Sequence, residues 1–152
     1  RLYNNLGNAY SVIGKTDEAM RAYHKSIEVN KTGYNYAQPY NGLAVAYIYS
    51  GEREKAVGML KKTIEIDPGY TEAYYNLGQV YGAMNKSGKS IEAFEKAVAI
   101  NPVYSEAHHG LSKAYYHNRD YDLAIQHSDL AARLGYEIDP VFLKKLEPYR
   151  NQ

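Results

Sequence analysis

Apolar and small residues return every three or four positions along almost the whole chain, the period of helices that bury one stripe, and short polar or glycine-containing breaks interrupt them. In Leu2–Ile13 the stripe is Tyr3, Leu6, Gly7 and Tyr10; in Asp17–Val29 it is Ala19, Met20, Tyr23 and Ser26. Gly14, Lys15, Thr16 and Asp17 separate the two runs. The spacing predicts two antiparallel helices, with Thr16 as N-cap of the second and Asp17 and Glu18 favouring its first turn.

The arrangement recurs in 37–70 as Tyr40, Leu43, Ala44 and Tyr47, then Ala56, Val57, Leu60 and Thr63, closing on Asp67 and Pro68. Pro39 falls in the first turn of its helix, where a missing N–H costs least. In 71–104 the series is Tyr74, Leu77, Gly78 and Tyr81, then Ser90, Ile91, Phe94 and Ala97, closing on Asn101 and Pro102. In 105–138 it is His108, Leu111, Ser112 and Tyr115, then Ala124, Ile125, Ser128 and Ala131. Here Ser105 and Asp120 are the expected N-caps and Gly135 the stop. The offset is 37 residues from the first copy to the second and 34 thereafter. The three extra residues fall between Lys31 and Gln38, with Lys31 where later copies have Pro68 and Pro102. They are expected to lengthen the connection or the second helix and to bend the stack there. Last, Asp139 and Pro140 open a short helix whose Phe142, Leu143 and Leu146 form one apolar strip, and Pro148 should stop it. A stack of repeats needs a terminal cap, and 139–147 is assigned that role.

The series Tyr74-x-x-Leu77-Gly78-x-x-Tyr81, Ser90-Ile91-x-x-Phe94-x-x-Ala97, Asn101-Pro102 resembles the tetratricopeptide repeat, a 34-residue helix-turn-helix unit. Four copies in one frame cover about nine tenths of the chain. The resemblance implies an all-α fold: a right-handed superhelical solenoid forming a single domain, with repeats at about 1–35, 37–70, 71–104 and 105–138. It also implies a non-catalytic scaffold or adaptor that binds an extended peptide or a partner's helix on a concave face lined by the first helix of each repeat.

The columns have a packing reason. Gly7, Ala44, Gly78 and Ser112 let the two helices of a repeat approach, and Ala19, Ala56, Ser90 and Ala124 answer from the second helix. Tyr10, Tyr47, Tyr81 and Tyr115, with Tyr23, Leu60 and Phe94, fill the remaining volume. Folding thus accounts for most of the in-frame tyrosines. First-helix residues off these columns are the candidate peptide-binding set: Asn4, Asn5, Asn8 and Val12; Asn41, Val45, Ile48 and Tyr49; Tyr75, Asn76, Gln79 and Ala83; His109, Lys113, Tyr116 and His117. Amides offer donors and acceptors to an extended backbone, and tyrosine adds rigid apolar area with a polar tip. The competing reading is plain solvated surface.

One subgroup of the family clamps two carboxylates of a chaperone tail with Lys, Asn, Asn, Lys and Arg. Only Asn8 matches; Asn4, Gly42, Glu72 and Asn76 occupy the other positions. With all the clamp's cations missing, no chaperone-tail clamp is expected, and ligand binding should be insensitive to salt.

Composition narrows the function classes. The 152 residues carry 18 Lys and Arg against 17 Asp and Glu, without a long run of either sign, which disfavours a nucleic-acid footprint. No apolar run approaches the roughly 18 residues of a membrane span, and no signal-peptide pattern opens the chain, so membrane insertion is not expected. Without cysteine there is no disulfide, thiolate nucleophile or cysteine zinc site. Among the five histidines, His109 and His117 stand eight apart, too far to chelate one ion from a single helix face, so no metal is expected. His108 replaces the column tyrosine and reads as core or interface. Pairs such as Glu92 with Lys96 mark solvated helix faces. No nucleophile-base pair, acid-base couple or phosphate loop is present, so neither enzyme activity nor a cofactor is expected. The chain opens at Arg1, already in frame with a helix and without Met, which suggests a piece of a longer protein. An open apolar end also admits an alternative function, end-to-end self-assembly into oligomers through Leu2 at one end and Phe142, Leu143 and Leu146 at the other.

Overall fold

The computed structural model describes residues 1–30 and 36–150. Its helices are α1 (Leu2–Val12), α2 (Thr16–Val29), α3 (Ala37–Tyr49), α4 (Arg53–Ile66), α5 (Thr71–Ala83), α6 (Ser87–Ile100), α7 (Ser105–His117), α8 (Tyr121–Arg133) and α9 (Pro140–Leu146), followed by a 3-10 turn at Glu147–Tyr149. The segment holding most of the inserted residues lies outside the described residues. Even so, α2 has the same 14 residues as α4 and α6, so its helix is not lengthened. Seven residues separate α2 from α3, against four between α4 and α5 and between α6 and α7.

Each hairpin turn is built the same way. At the first turn, Gly14 N–H donates to the Ser11 carbonyl and Lys15 N–H to the Tyr10 carbonyl, the paired bonds that close a helix around a left-handed residue. The left-handed residue is Gly14, Gly51, Asn85 or Arg119, with φ of 74°, 78°, 57° and 67°. The next residue, Lys15, Glu52, Lys86 or Asp120, bonds back to a column tyrosine and at once becomes the N-cap of the second helix. The tight turn therefore fixes the N-cap by register, whatever its side chain. This corrects the expectation for Thr16, which lies inside α2; Lys15 is the N-cap and makes no side-chain capping bond. Asp120 is the N-cap of α8 as expected, again without a side-chain bond. Ser105 likewise lies inside α7, whose N-cap is Tyr104. Gly135, with φ of 91°, ends α8 through the same paired bonds. Asp139 does cap α9: its Oδ1 accepts from Val141 N–H at 2.9 Å, with Pro140 at the first helical position.

The chain divides into two compact units, Arg1–Asn76 and Leu77–Gln152. In the first, α1 packs on α2, α3 on α4, and α2 on α3. Its core joins Ala19, Tyr23 and Leu43, with Tyr10, Met20, Ile27, Tyr47 and Met59 packed around them. In the second, α6 packs on α7 and α7 on α8, while α9 lies on α8. Phe94, Ala97, Ala107, Leu111, Tyr115, Ala124 and Ala131 are buried there.

The small columns are buried throughout. A Cβ on Gly7 would sit 2.5 Å from Tyr23 Cε1, and one on Gly78 2.7 Å from Phe94 Cδ1, far inside van der Waals contact. Where the columns hold serine, the hydroxyl bonds across the hairpin: Ser90 Oγ donates to the Gly78 carbonyl at 2.8 Å and Ser112 Oγ to the Ala124 carbonyl at 2.6 Å. Solvated faces carry the pairs Lys25–Glu28, Lys55–Glu52 and Lys62–Glu65, all three residues apart, rather than Glu92 with Lys96. Among the described residues no helix is long and apolar enough to cross a membrane.

Candidate binding faces

In the first unit the off-column residues of α1, α3 and the start of α5 split into two groups. Asn4, Asn41 and Asn76 are 8, 6 and 7% exposed, so the packing covers them. Asn76 Nδ2 donates to Asn41 Oδ1 at 3.4 Å, and Asn41 also bonds the Tyr70 hydroxyl, whose pKa burial pushes up. Asn4 Nδ2 donates to Gln38 Oε1 at 3.4 Å, while its Oδ1 is buried without a partner. Asn5, Asn8 and Tyr49 are exposed, and Val45 and Ile48 are half-buried. Asn8 is held in place by the core: the Tyr23 hydroxyl donates to Asn8 Oδ1 at 2.8 Å and lies 3.3 Å from Ser11 Oγ. The accessible part of the candidate set is therefore narrower than spacing alone suggests.

In the second unit Gln79, Lys113 and His117 are exposed, and His109 and Tyr116 are half-buried. His109 stacks on Tyr136 at 4.6 Å and meets the edge of Phe142 at 5.6 Å. Its Nδ1 is buried without a partner, and burial, aided by the Lys113 charge and opposed by Asp139, holds its pKa below the ordinary value. Tyr116 makes edge contacts with Phe142 at 5.8 Å and Tyr121 at 5.6 Å, and Tyr121 stacks on Tyr149 at 3.6 Å. Beside this pair lies an open cleft of about 520 Å³ lined by Arg119, Asp120, Tyr121, Asp122, Leu123 and Tyr149. Spacing could not have shown this cluster, because Tyr136 follows the helix stop at Gly135 and Tyr149 comes from beyond the last repeat, both outside the helical columns. Of the remaining candidates, Tyr75 is half-buried, and Val12 and Ala83 are exposed.

The assembly candidates are also divided. Leu2 is 76% exposed, and Leu143 is exposed. Phe142 and Leu146 are buried, which corrects their assignment to an outward end face: Phe142 packs on His109 and Tyr116, and the outer side of α9 keeps Val141 and Leu143. His108 is buried, as its column position implies. Its Nε2 lies 2.9 Å from the Pro102 carbonyl and its Nδ1 3.0 Å from His127 Nδ1. Burial, and then His108, hold the His127 pKa below its ordinary value, with Glu95 opposing. Among the described residues no group of three or more His, Cys, Asp or Glu side chains is placed to hold a metal.

Comparison with known proteins points in one direction. Family models described as tetratricopeptide repeat match residues 1–69 and 71–104. No curated protein matches the sequence. A solved structure of MamA is 28% identical over 95% of this chain and 79% of its own, with a TM-score of 0.79. BtubC from P. vanneervenii shares the fold at 22% identity over 91% of this chain and 65% of its own, with a TM-score of 0.80. So does the first repeat domain of Spaghetti (RPAP3), solved with the HSP90 peptide SRMEEVD, at 17% identity over 80% of this chain and 98% of its own, with a TM-score of 0.74.

Proposed function

This chain belongs to the tetratricopeptide-repeat family as an all-α repeat solenoid, and from that premise we propose that it is a non-catalytic interaction scaffold that holds an extended peptide or a partner's helix on its first helices. The observation that supports this most is the division of the off-column residues. Buried amides stiffen the first helices from within, while exposed Tyr49 in one unit and Lys113 and His117 in the other line them without being needed by the core. Such a surface offers hydrogen bonds and aromatic area but little net charge, so recognition rests on shape and backbone pairing.

The test is selection of binders from a displayed peptide library against the whole chain, followed by Tyr49→Ala and Lys113→Ala with His117→Ala. These positions are exposed, so folding should survive. Affinity for a selected peptide should fall roughly 10-fold or more, as expected where an interface anchor is removed, and should change little between 50 and 500 mM salt, since long-range charge contributes little. Peptides bound equally well by all variants, or lost with salt, would refute this site. End-to-end assembly is the second reading, with exposed Leu2 on α1 and Leu143 on α9 as its residues, while Phe142 and Leu146 are turned inward.

A further inference from the structure

His108 and His127 come from different helices and meet only in the fold. His108 stands in α7 where the other repeats carry Tyr3, Tyr40 and Tyr74, and His127 stands in α8. Nε2 of His108 lies 2.9 Å from the Pro102 carbonyl, which can only accept, so Nε2 carries the proton and Nδ1 is a bare lone pair. That lone pair lies 3.0 Å from His127 Nδ1, which therefore donates to it. The tautomers are fixed in sequence from the carbonyl outward, with His108 protonated at Nε2 and His127 at Nδ1.

The two rings meet edge to edge. Their centres are 5.2 Å apart, which is the 3.0 Å gap plus one ring radius on each side, and their planes differ by 19°. Both Nδ1 atoms thus lie on the line between the centres, in nearly one plane, and point at each other. Such a pair offers two nitrogen donors in line to whatever replaces the shared proton. His108 is buried, and the Pro102 carbonyl holds its ring as an outer-shell acceptor holds a metal-bound imidazole. His127 is half-buried, so the pair is reached from solvent on its side. Tyr115 lies along the His127 ring and its hydroxyl donates to Glu95 Oε1 at 2.6 Å, which keeps a carboxylate charge within reach of His127.

We propose that His108 Nδ1 and His127 Nδ1 form a two-coordinate site for a soft monovalent cation of the copper(I) type. Imidazole suits copper, and a singly charged closed-shell ion is satisfied by two donors in line. Two neutral rings leave one positive charge for Glu95 to balance. Among the described residues no three His, Cys, Asp or Glu side chains gather, so the tetrahedral set that zinc takes is not assembled. With about 2.0 Å for each metal–imidazole bond, the nitrogens part by roughly 1 Å from their 3.0 Å separation, a movement of the half-buried His127 ring because Pro102 fixes His108. His127 gives up its Nδ1 proton and takes one at Nε2, so the ring stays neutral, no electron is transferred and no net proton is released. None of the residues proposed for the peptide face is used.

The test titrates the whole nitrogen-15-labelled chain with silver(I), the redox-inert counterpart of copper(I), in chloride-free buffer near neutral pH, and reads the imidazole nitrogens by NMR. Before addition, Nδ1 should be unprotonated in His108 and protonated in His127. One equivalent should move both Nδ1 signals and split each by coupling to silver, while Nε2 of His127 becomes the protonated nitrogen. Copper(I), added without oxygen, should compete for the same two atoms. His108→Tyr restores the column residue of the other repeats, and His127→Asn removes the outer donor. Each should weaken silver binding roughly 100-fold or more, at or above what loss of an outer-shell partner costs, with circular dichroism showing that both variants stay helical. His24→Ala, at an exposed position, should leave binding unchanged. Silver coupled to one ring or neither, silver found only at methionine, equal binding by both histidine variants, no competition from copper(I), or zinc(II) held as tightly at the same nitrogens would each overturn the proposal.

Discussion

The rings of Tyr23 and Phe94, wedged against glycines, make those glycines the most sensitive residues of the chain. Gly110 and Phe94 belong to the same unit, and the ring fills the space a methyl would need. Gly110→Ala should destabilise by about 1–3 kcal/mol, the usual cost of overpacking. In a Phe94→Leu background the same change should cost much less, because the shorter wedge leaves room. Urea denaturation of the four variants gives the coupling directly; strictly additive losses would contradict a shared wedge. Histidines set the response to acid. Burial holds the folded pKa values of His109 and His127 below the ordinary imidazole value of about 6.5. The unfolded chain therefore binds their protons first, so stability is full above about pH 6.5 and falls as pH drops through that value toward the depressed folded values. The melting temperature should fall between pH 7.5 and 5.5, and less so in His127→Asn.

At the level of elements, the four hairpin turns share one backbone conformation but not one residue. Gly14 and Gly51 adopt it without strain, Asn85 tolerates it, and Arg119 has a Cβ that disfavours it. Arg119→Gly should stabilise by about 1 kcal/mol, since removing the Cβ strain outweighs the extra freedom of glycine in the unfolded chain. A higher urea midpoint with an unchanged slope is the expected result. The column tyrosines also act here through their backbones: the carbonyls of Tyr10, Tyr47, Tyr81 and Tyr115 accept the bond that starts each second helix. Replacing those side chains therefore leaves the turn bond available, and the loss is one of side-chain contacts, which at Tyr115 include the hydroxyl's donation to Glu95 Oε1 at 2.6 Å.

For the whole molecule, side chains that repeat in frame build the units; of those off frame, Asn4, Asn41 and Asn76 are also taken into the packing, and the exposed remainder carry the peptide face proposed above. Helix positions, the 34-residue frame, the small and large columns and the short C-terminal helix were all legible in the sequence, because each follows from local periodicity or from the size of residues that meet within one hairpin. What only the tertiary structure decided involves two-sided burial and distant partners. α3 is pressed between α4 and α2, and α7 between α8 and α6, which buries Asn41 although helical spacing alone leaves it outside and pairs Tyr23 with Gly42 and Phe94 with Gly110 across repeats. Tyr121, Tyr136, Phe142 and Tyr149 gather around His109 and Tyr116 because the chain turns back after Gly135, and α9 then faces inward as much as outward. A repeat pattern records how a segment meets its nearest neighbours; it carries no term for contacts whose geometry depends on the fold of the segments between.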